Sequence, residues 1–374
     1  MDKEIKINFG NQPSNDLSTA SQWNLMARKF TKHRLAVWSG SLIIALYTCA
    51  LFCEFISPYG LDEQNIDFIY APPQRLHWMG PDGMHFVPFV YGLKGIRHPT
   101  TLRKIYTEDQ NKVFPIRFFT RGSSYDFLGI FKTNIHLFSV NKGGTLFLLG
   151  TDSLGRDLFT RILYGARISL TVGLVGVALT FVFGLTIGVI SGYFGGWIDN
   201  VIQRLIEILR SFPSIPLWMA LSAALPSDWS PLKIYFGITV VLSFLGWTGL
   251  ARVVRGKILA LREEDYAMAA EVSGVSKRRI MTHHLLPGFT SHIVVSLTLA
   301  LPGMILGETS LSFLGLGLRS PITSWGVLLQ EAQNVQAVAM QPWLLTPAIF
   351  VIIAVLAFNF VGDGLRDAAD PYDH

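Results

Sequence analysis

Residues 256–287, GKILALREEDYAMAAEVSGVSKRRIMTHHLLP, decide how the rest of the chain is read. The stretch is polar and punctuated by glycine, yet it lies between two strongly apolar runs, about 234–254 and 292–314. A chain embedded in a bilayer on both sides of such a segment presents it to the aqueous phase as a docking surface. Residues 263–272 favour helix, with acidic groups near the start that complement the helix dipole. Gly274 allows a tight turn, and Ser276 is placed to cap a second helix over 277–286. Two short helices joined at a glycine form a lever that converts motion of a bound partner into tilting of the flanking spans. The competing reading is a solvated amphipathic loop resting on lipid headgroups.

Composition agrees with a membrane setting. Half of the 374 residues are hydrophobic and only 15% are charged, against about a quarter charged in a soluble domain. Mean hydropathy is +0.39. Apolar runs at about 35–56, 169–192, 201–225, 234–254, 292–314 and 343–362 are long enough to cross a bilayer, which takes ~20 residues. The run at 201–225 carries Arg204, Glu207 and Arg210 in its first turns and is expected to start as an interfacial helix, entering the bilayer near Phe212-Pro213. The net charge of +5 comes from Lys and Arg beside the apolar runs, as the positive-inside rule describes, so nucleic-acid binding is set aside.

Residues 1–34 read as a cytoplasmic tail, polar over 1–20 and basic at Arg28, Lys29, Lys32, His33 and Arg34. That basic cluster before the first span, 35–56, places the N-terminus inside, and six spans return the C-terminus to the same side. Residues 57–164 then lie outside. Runs such as 85–92, 113–119 and 127–131 alternate aromatic and β-branched residues between turn signals, which reads as a β-rich extracytoplasmic insertion between the first two spans. The core, 165–374, holds the loop 256–287 on the cytoplasmic side.

Groups that invite a chemical reading are few. Cys49 and Cys53 lie one helical turn apart in the first span and, read as two thiols without His or carboxylate partners, are expected to be small buried side chains. Asp152 with Asp157, and Asp363 with Asp367, each have an arginine nearby in sequence and read as caps and ion pairs before acid–base pairs. Gly184, Gly188 and Gly192 recur every fourth residue and form a packing seam, within the subunit or against a partner. Glu308, beyond Pro302-Gly303 in an apolar run, is costly unless it faces the bundle interior or an aqueous path. It is the candidate pathway or gate residue, with a hydrogen bond to Thr309, Ser310 or a neighbouring helix as the plainer reading. The glycine-lysine loop that cradles nucleotide phosphates is absent from the sequence, so neither catalysis, nor a cofactor, nor a metal is expected of this chain.

The spacing A-A-x3-G-x11-L-P formed by Ala269, Ala270, Gly274, Leu286 and Pro287 resembles the ATPase-coupling loop of ABC-importer permeases. Four ordered stretches narrow the resemblance: LGTDSLGRD at 149–157 leading into YGARISL at 164–170, LSFLGLG at 311–317, SWG at 324–326 and GDGLRDAADP at 362–371. Together they resemble the dipeptide/oligopeptide permease family, specifically its second permease subunit. Met268 and His284 depart from the usual loop pattern, and the insertion at 62–142 is longer than the family's usual connection. The resemblance implies a type I ABC-importer permease fold, an all-α polytopic membrane protein with six transmembrane helices, to which the sequence adds the extracytoplasmic β-rich insertion between helices 1 and 2. It also implies a prokaryotic inner membrane and, as partners, a second permease, two ABC ATPase subunits or domains, an extracytoplasmic solute-binding protein and the lipid bilayer. The solute implied is a peptide, with oligosaccharides, opines or nickel complexes as alternatives. A secondary transporter would need charged groups at mid-bilayer in several spans, where Glu308 is nearly alone. A membrane-anchored receptor would leave five spans and the coupling loop unexplained.

Overall fold

The computed structural model describes residues 22–80, 83–97, 99, 104–127, 129–141, 143–226 and 228–369; the polar tail at 1–20 and the end of the last motif, Asp370-Pro371, lie outside them. A short amphipathic helix α1 (Gln22–Lys32) leads into α2 (Arg34–Leu51), which continues as α3 (Cys53–Ile56). Four strands follow, β1 (His77–Gly80), β2 (Gly83–Arg97), β3 (Lys104–Phe127) and β4 (Phe131–Val140), paired in that order as an antiparallel meander. β2 and β3 meet with Ile96 opposite Ile105 and Phe89 opposite Pro115. In the β3–β4 pair, Phe118 faces Phe138 and Phe127 faces Phe131. The runs 85–92 and 113–119 lie within strands, as their aromatic and β-branched content favours. The run 127–131 does not: it crosses the turn between β3 and β4, where Gly129 takes φ +70°.

The helical body begins at α4 (Leu158–Phe194). α5 (Gly196–Ser211) and α6 (Ser214–Ala223) follow, separated at Phe212-Pro213, and then α7 (Pro231–Leu261). The loop region holds α8 (Asp265–Val272) and α9 (Lys277–Arg279). α10 (Thr290–Phe313), α11 (Trp325–Leu329), α12 (Val335–Met340) and α13 (Thr346–Ala369) complete the order. Among the described residues, five helical stretches are long and apolar enough to cross a membrane: Arg34–Leu51, Leu158–Phe194, Pro231–Leu261, Lys277–Phe313 and Pro342–Ala369. The sixth expected run is split, and its apolar half, α6, has only 10 residues.

Two of the apolar clusters matter most for the site, and a third joins α5 to α7 through Ile206, Trp247 and Ala251. The larger gathers Ile162 and Leu170 of α4 with Leu242 of α7, Ile305 of α10, Trp325 of α11 and Phe358 of α13. The smaller joins the far ends of α4 and α7 to the loop through Val189, Val254, Ile258, Ala270, Leu285 and Phe289. Between α4 and α7 the glycine seam lies within the subunit. A Cβ on Gly188 would stand 2.7 Å from the Ala251 carbonyl oxygen and 2.8 Å from Val254 Cβ. One on Gly192 would stand 2.8 Å from Ile258 Cβ. Only hydrogen fits there, which lets the two backbones close on each other.

Candidate functional site

The loop between α7 and α10 is built on a buried base. Ala267 and Ala270 on one side of α8 pack with Ile280, Leu285 and Phe289 on the ends of α4 and α7. On the opposite side of α8, Met268 and Val272 lie one turn apart, 45% and 90% exposed, beside Asp265, and Tyr266 is half-open on the flank. Gly274 terminates α8 at φ +76°. Its N–H donates to the Glu271 carbonyl at 3.0 Å, and Val275 N–H donates to the Ala270 carbonyl at 3.1 Å. This is the paired closure of a Schellman turn, whose left-handed residue favours glycine. A Cβ on Gly274 would meet no atom within 4 Å, so only the backbone conformation demands glycine.

The second half of the loop departs from the expected helix over 277–286. α9 lasts one turn, then Ile280–Leu285 widens into a π-helix and Leu286–Phe289 tightens into a 3-10 turn. Ser276 precedes α9 without a capping hydrogen bond from its side chain. The widened turn brings Ile280, Leu285 and Phe289 onto the same core, at the expense of regular α geometry. Of the five spacing residues, Ala270 faces the core, Leu286 is half-buried, and Ala269, Gly274 and Pro287 lie on the outer surface.

Polar ties anchor this base. Arg262 Nη1 donates to the carbonyls of Gly192 at 3.3 Å and Tyr193 at 3.4 Å, a cation at the C-terminal end of α4 where the dipole favours it. Lys277 Nζ sits 5.9 Å from the Phe194 ring centroid. Arg255 on α7 forms a two-pronged pair with Asp199 on α5.

At the other end of α4, Asp152 accepts from the backbone N–H groups of Leu154 and Arg156, both at 2.9 Å, and from Arg156 Nε at 2.7 Å. Arg161 also donates to it. Asp157 caps α4 by accepting from Thr160 N–H at 2.8 Å. Burial pushes the Asp157 carboxyl up to about 7. Glu331 accepts from Ser153 N–H at 3.2 Å, and burial raises its carboxyl as well. Asp152 and Asp157 are thus an ion-pair member and a cap in the structure.

Glu308 is fully buried within α10. Ser169 of α4 donates to its Oε2 at 3.0 Å; Ser312 and Ser324 donate to Oε1 at 2.7 Å each. Ser324 also caps α11 by accepting from Val327 N–H, and Ser169 accepts from Trp325 N–H at 3.1 Å. The partners are therefore a neighbouring helix, the next turn of α10 and the start of α11, and neither Thr309 nor Ser310. Two further pairs lie beyond the reading of the sequence, Arg255 with Asp199 and Arg167 with Glu54. A signal exists for them: an arginine and a carboxylate near the ends of different spans are each costly until they meet. Among the described residues, no group of three or more His, Cys, Asp or Glu could hold a metal ion, and both cysteines are free, Cys49 half-buried and Cys53 buried.

Long apolar helices joined by a short polar loop, with buried polar ties at both ends, make a helical bundle of the kind that spans a membrane. The chain belongs to the binding-protein-dependent transport system inner membrane component family, whose model matches residues 184–372. Residues 21–73 match the N-terminal TM domain of oligopeptide transport permease C. The glutathione transport system permease protein GsiD of Pectobacterium atrosepticum is 40% identical over 95% of this chain and 93% of its own. The dipeptide transport system permease protein DppC of Alkalihalophilus pseudofirmus is 44% identical over 59% of this chain and 71% of its own. Among solved structures, an inward-facing MetNI methionine ABC transporter aligns with a TM-score of 0.43 and 21% identity, over 55% of this chain and 95% of that one. The protein is an ABC-importer permease.

Proposed function

We propose that this permease pairs with a second, different permease and that two separate ABC ATPase subunits or domains drive the pair, with solute delivered by an extracytoplasmic binding protein. The observation that carries this reading is the exposed apolar pair Met268 and Val272, one turn apart on α8 and opposite its buried base. An apolar helix face on a polar loop is what a groove on a partner receives. Ala269, Gly274 and Pro287 are the surface positions at this junction, while Ala270 and Leu286 fix the loop to the core. Six crossings complete the topology, the α5–α6 pair serving as the third, with both termini cytoplasmic and 57–164 outside. ATP hydrolysis belongs to the partners.

The solute is a peptide or similar small molecule, a class supported by the names of the dipeptide and glutathione relatives. Glu308 acts as a positioning group that fastens α4, α10 and α11, so that a gate at this level opens only when those elements part. Purification of the tagged chain in mild detergent tests the assembly. Stoichiometric recovery of a second permease and ATPase subunits is expected; a chain that transports when reconstituted alone would overturn it.

A further inference from the structure

An apolar groove of about 600 Å3 lies between the first membrane helix and the β3–β4 hairpin, and the transport reading makes no use of it. Its floor is Phe52, Phe55 and Ile56; its wall is formed by Phe127, Phe131 and Ile135. The hairpin is held in place there. The Phe52 and Phe127 rings lie 5.8 Å apart, and the buried His136 bridges the Ser57 carbonyl at 2.6 Å and the Ser123 carbonyl at 2.9 Å. The groove is thus a fixed surface, and Phe131 in its wall stands open to the outside.

The level of the groove relative to the bilayer follows from helix length. α2 has 18 residues, about 27 Å at 1.5 Å per residue, against a hydrocarbon thickness of about 30 Å. The apolar slab therefore extends about two residues past Leu51, into the turn that begins at Phe52, with Phe55 and Ile56 at its border. At that turn Glu54 is satisfied by Arg167, with Nη1 at 2.5 Å and Nη2 at 2.7 Å, so neither charge requires water. α2 exposes Trp38, Ile44 and Leu51, and Phe52, the residue after Leu51, belongs to the groove. Arg121 and Lys132 are exposed on the same hairpin, where headgroup phosphates would meet them.

We infer that the groove takes an acyl chain of a phospholipid from the leaflet bordering the insertion, so that the hairpin lies on the bilayer surface. The inference rests on α2 crossing the bilayer and is independent of the coupling-loop reading. The test places p-benzoyl-L-phenylalanine singly at Trp38, Phe131 and Asn134 in the assembled transporter, held in nanodiscs of phosphatidylethanolamine and phosphatidylglycerol. Phe131 and Asn134 lie on opposite faces of β4, and all three positions are exposed. After irradiation, mass spectrometry is expected to find lipid adducts at Trp38 and Phe131 several-fold above those at Asn134. Adducts at Trp38 with none in excess at Phe131, or cross-links from Phe131 to another subunit, would overturn the groove assignment. Absence of lipid adducts at Trp38 itself would instead remove the premise that α2 faces lipid, and the inference with it.

Discussion

Arg255 and Asp199 join two helices through paired hydrogen bonds, Nε to Oδ1 and Nη2 to Oδ2, each 2.5 Å long. Ser191 of α4 donates to the same Oδ1 at 2.5 Å, so α4, α5 and α7 converge on one carboxylate just before the chain enters the loop. Asp199 is buried, and the guanidinium supplies the charge that its carboxylate needs there.

Removing Arg255 strands that charge. Arg255→Ala is expected to destabilise the purified complex by about 2 kcal/mol, below the figure for a fully buried pair because the arginine is partly open. Arg255→Lys restores charge without the two-pronged geometry and should recover only part. Differential scanning fluorimetry in detergent checks both, and an unchanged melting temperature for the alanine variant would exclude the pair as a structural tie.

Gly274→Val forces a β-branched residue into the left-handed region, at a cost of about 2 kcal/mol or more. Loss of transport and weakened ATPase association are expected, with membrane insertion intact. Gly274→Asn tolerates that conformation and should retain most activity, because space around the position is open. Equal loss in both variants would show that something other than backbone strain is at work.

Gly188→Val would press a side chain into the Ala251 carbonyl and Val254. Overpacking of this kind costs about 1–3 kcal/mol and should lower the yield of folded protein on size-exclusion chromatography. Gly256→Ala is the matched control, since its Cβ meets nothing within 4 Å; it should be neutral or slightly stabilising.

Asp157, with its carboxyl pushed up to about 7, contributes a defined pH dependence. The native state holds the proton more tightly than the unfolded chain. The contribution is therefore fully present below about 4, falls as pH rises, and is gone above about 7. Asp157→Asn keeps a capping oxygen and removes the titration. Melting temperature against pH should be flatter over this window in the variant, and an unaltered slope would refute the assignment.

Glu308→Ala leaves the hydroxyls of Ser169, Ser312 and Ser324 without their shared acceptor. A loss of about 3 kcal/mol is expected from the broken hydrogen bonds and the cavity. Glu308→Gln keeps one acceptor oxygen and should lose less. Thermal melts of the two variants decide the order.

Much of this is legible from local signals. Pro213 marks the break between α5 and α6, and Gly274 marks the end of α8. What stays hidden depends on distant partners. α4 starts at Leu158, well before the expected Ser169, because Arg161 and Arg167 in its first turns are neutralised by Asp152 and Glu54; hydropathy counts those arginines as obstacles. The π-helix at Ile280–Leu285 follows from tertiary packing that no helix signal encodes. Glu308 stands out by its cost in an apolar run, but its partners Ser169 and Ser324 lie far off in sequence.

α4 has 37 residues and no proline, so it runs unbroken for about 55 Å. One end carries Arg161 in its ion pair with Asp152; the other ends beside Arg262 and Lys277. The glycine seam binds it to α7 along the half nearer the loop. Such a pair behaves as a connecting rod: a tilt of about 5° displaces an end by about 5 Å over that length. A displacement applied near Arg262 would therefore be carried to Asp152 at once, and any slack would have to reside elsewhere, with Pro302 inside α10 placed to yield.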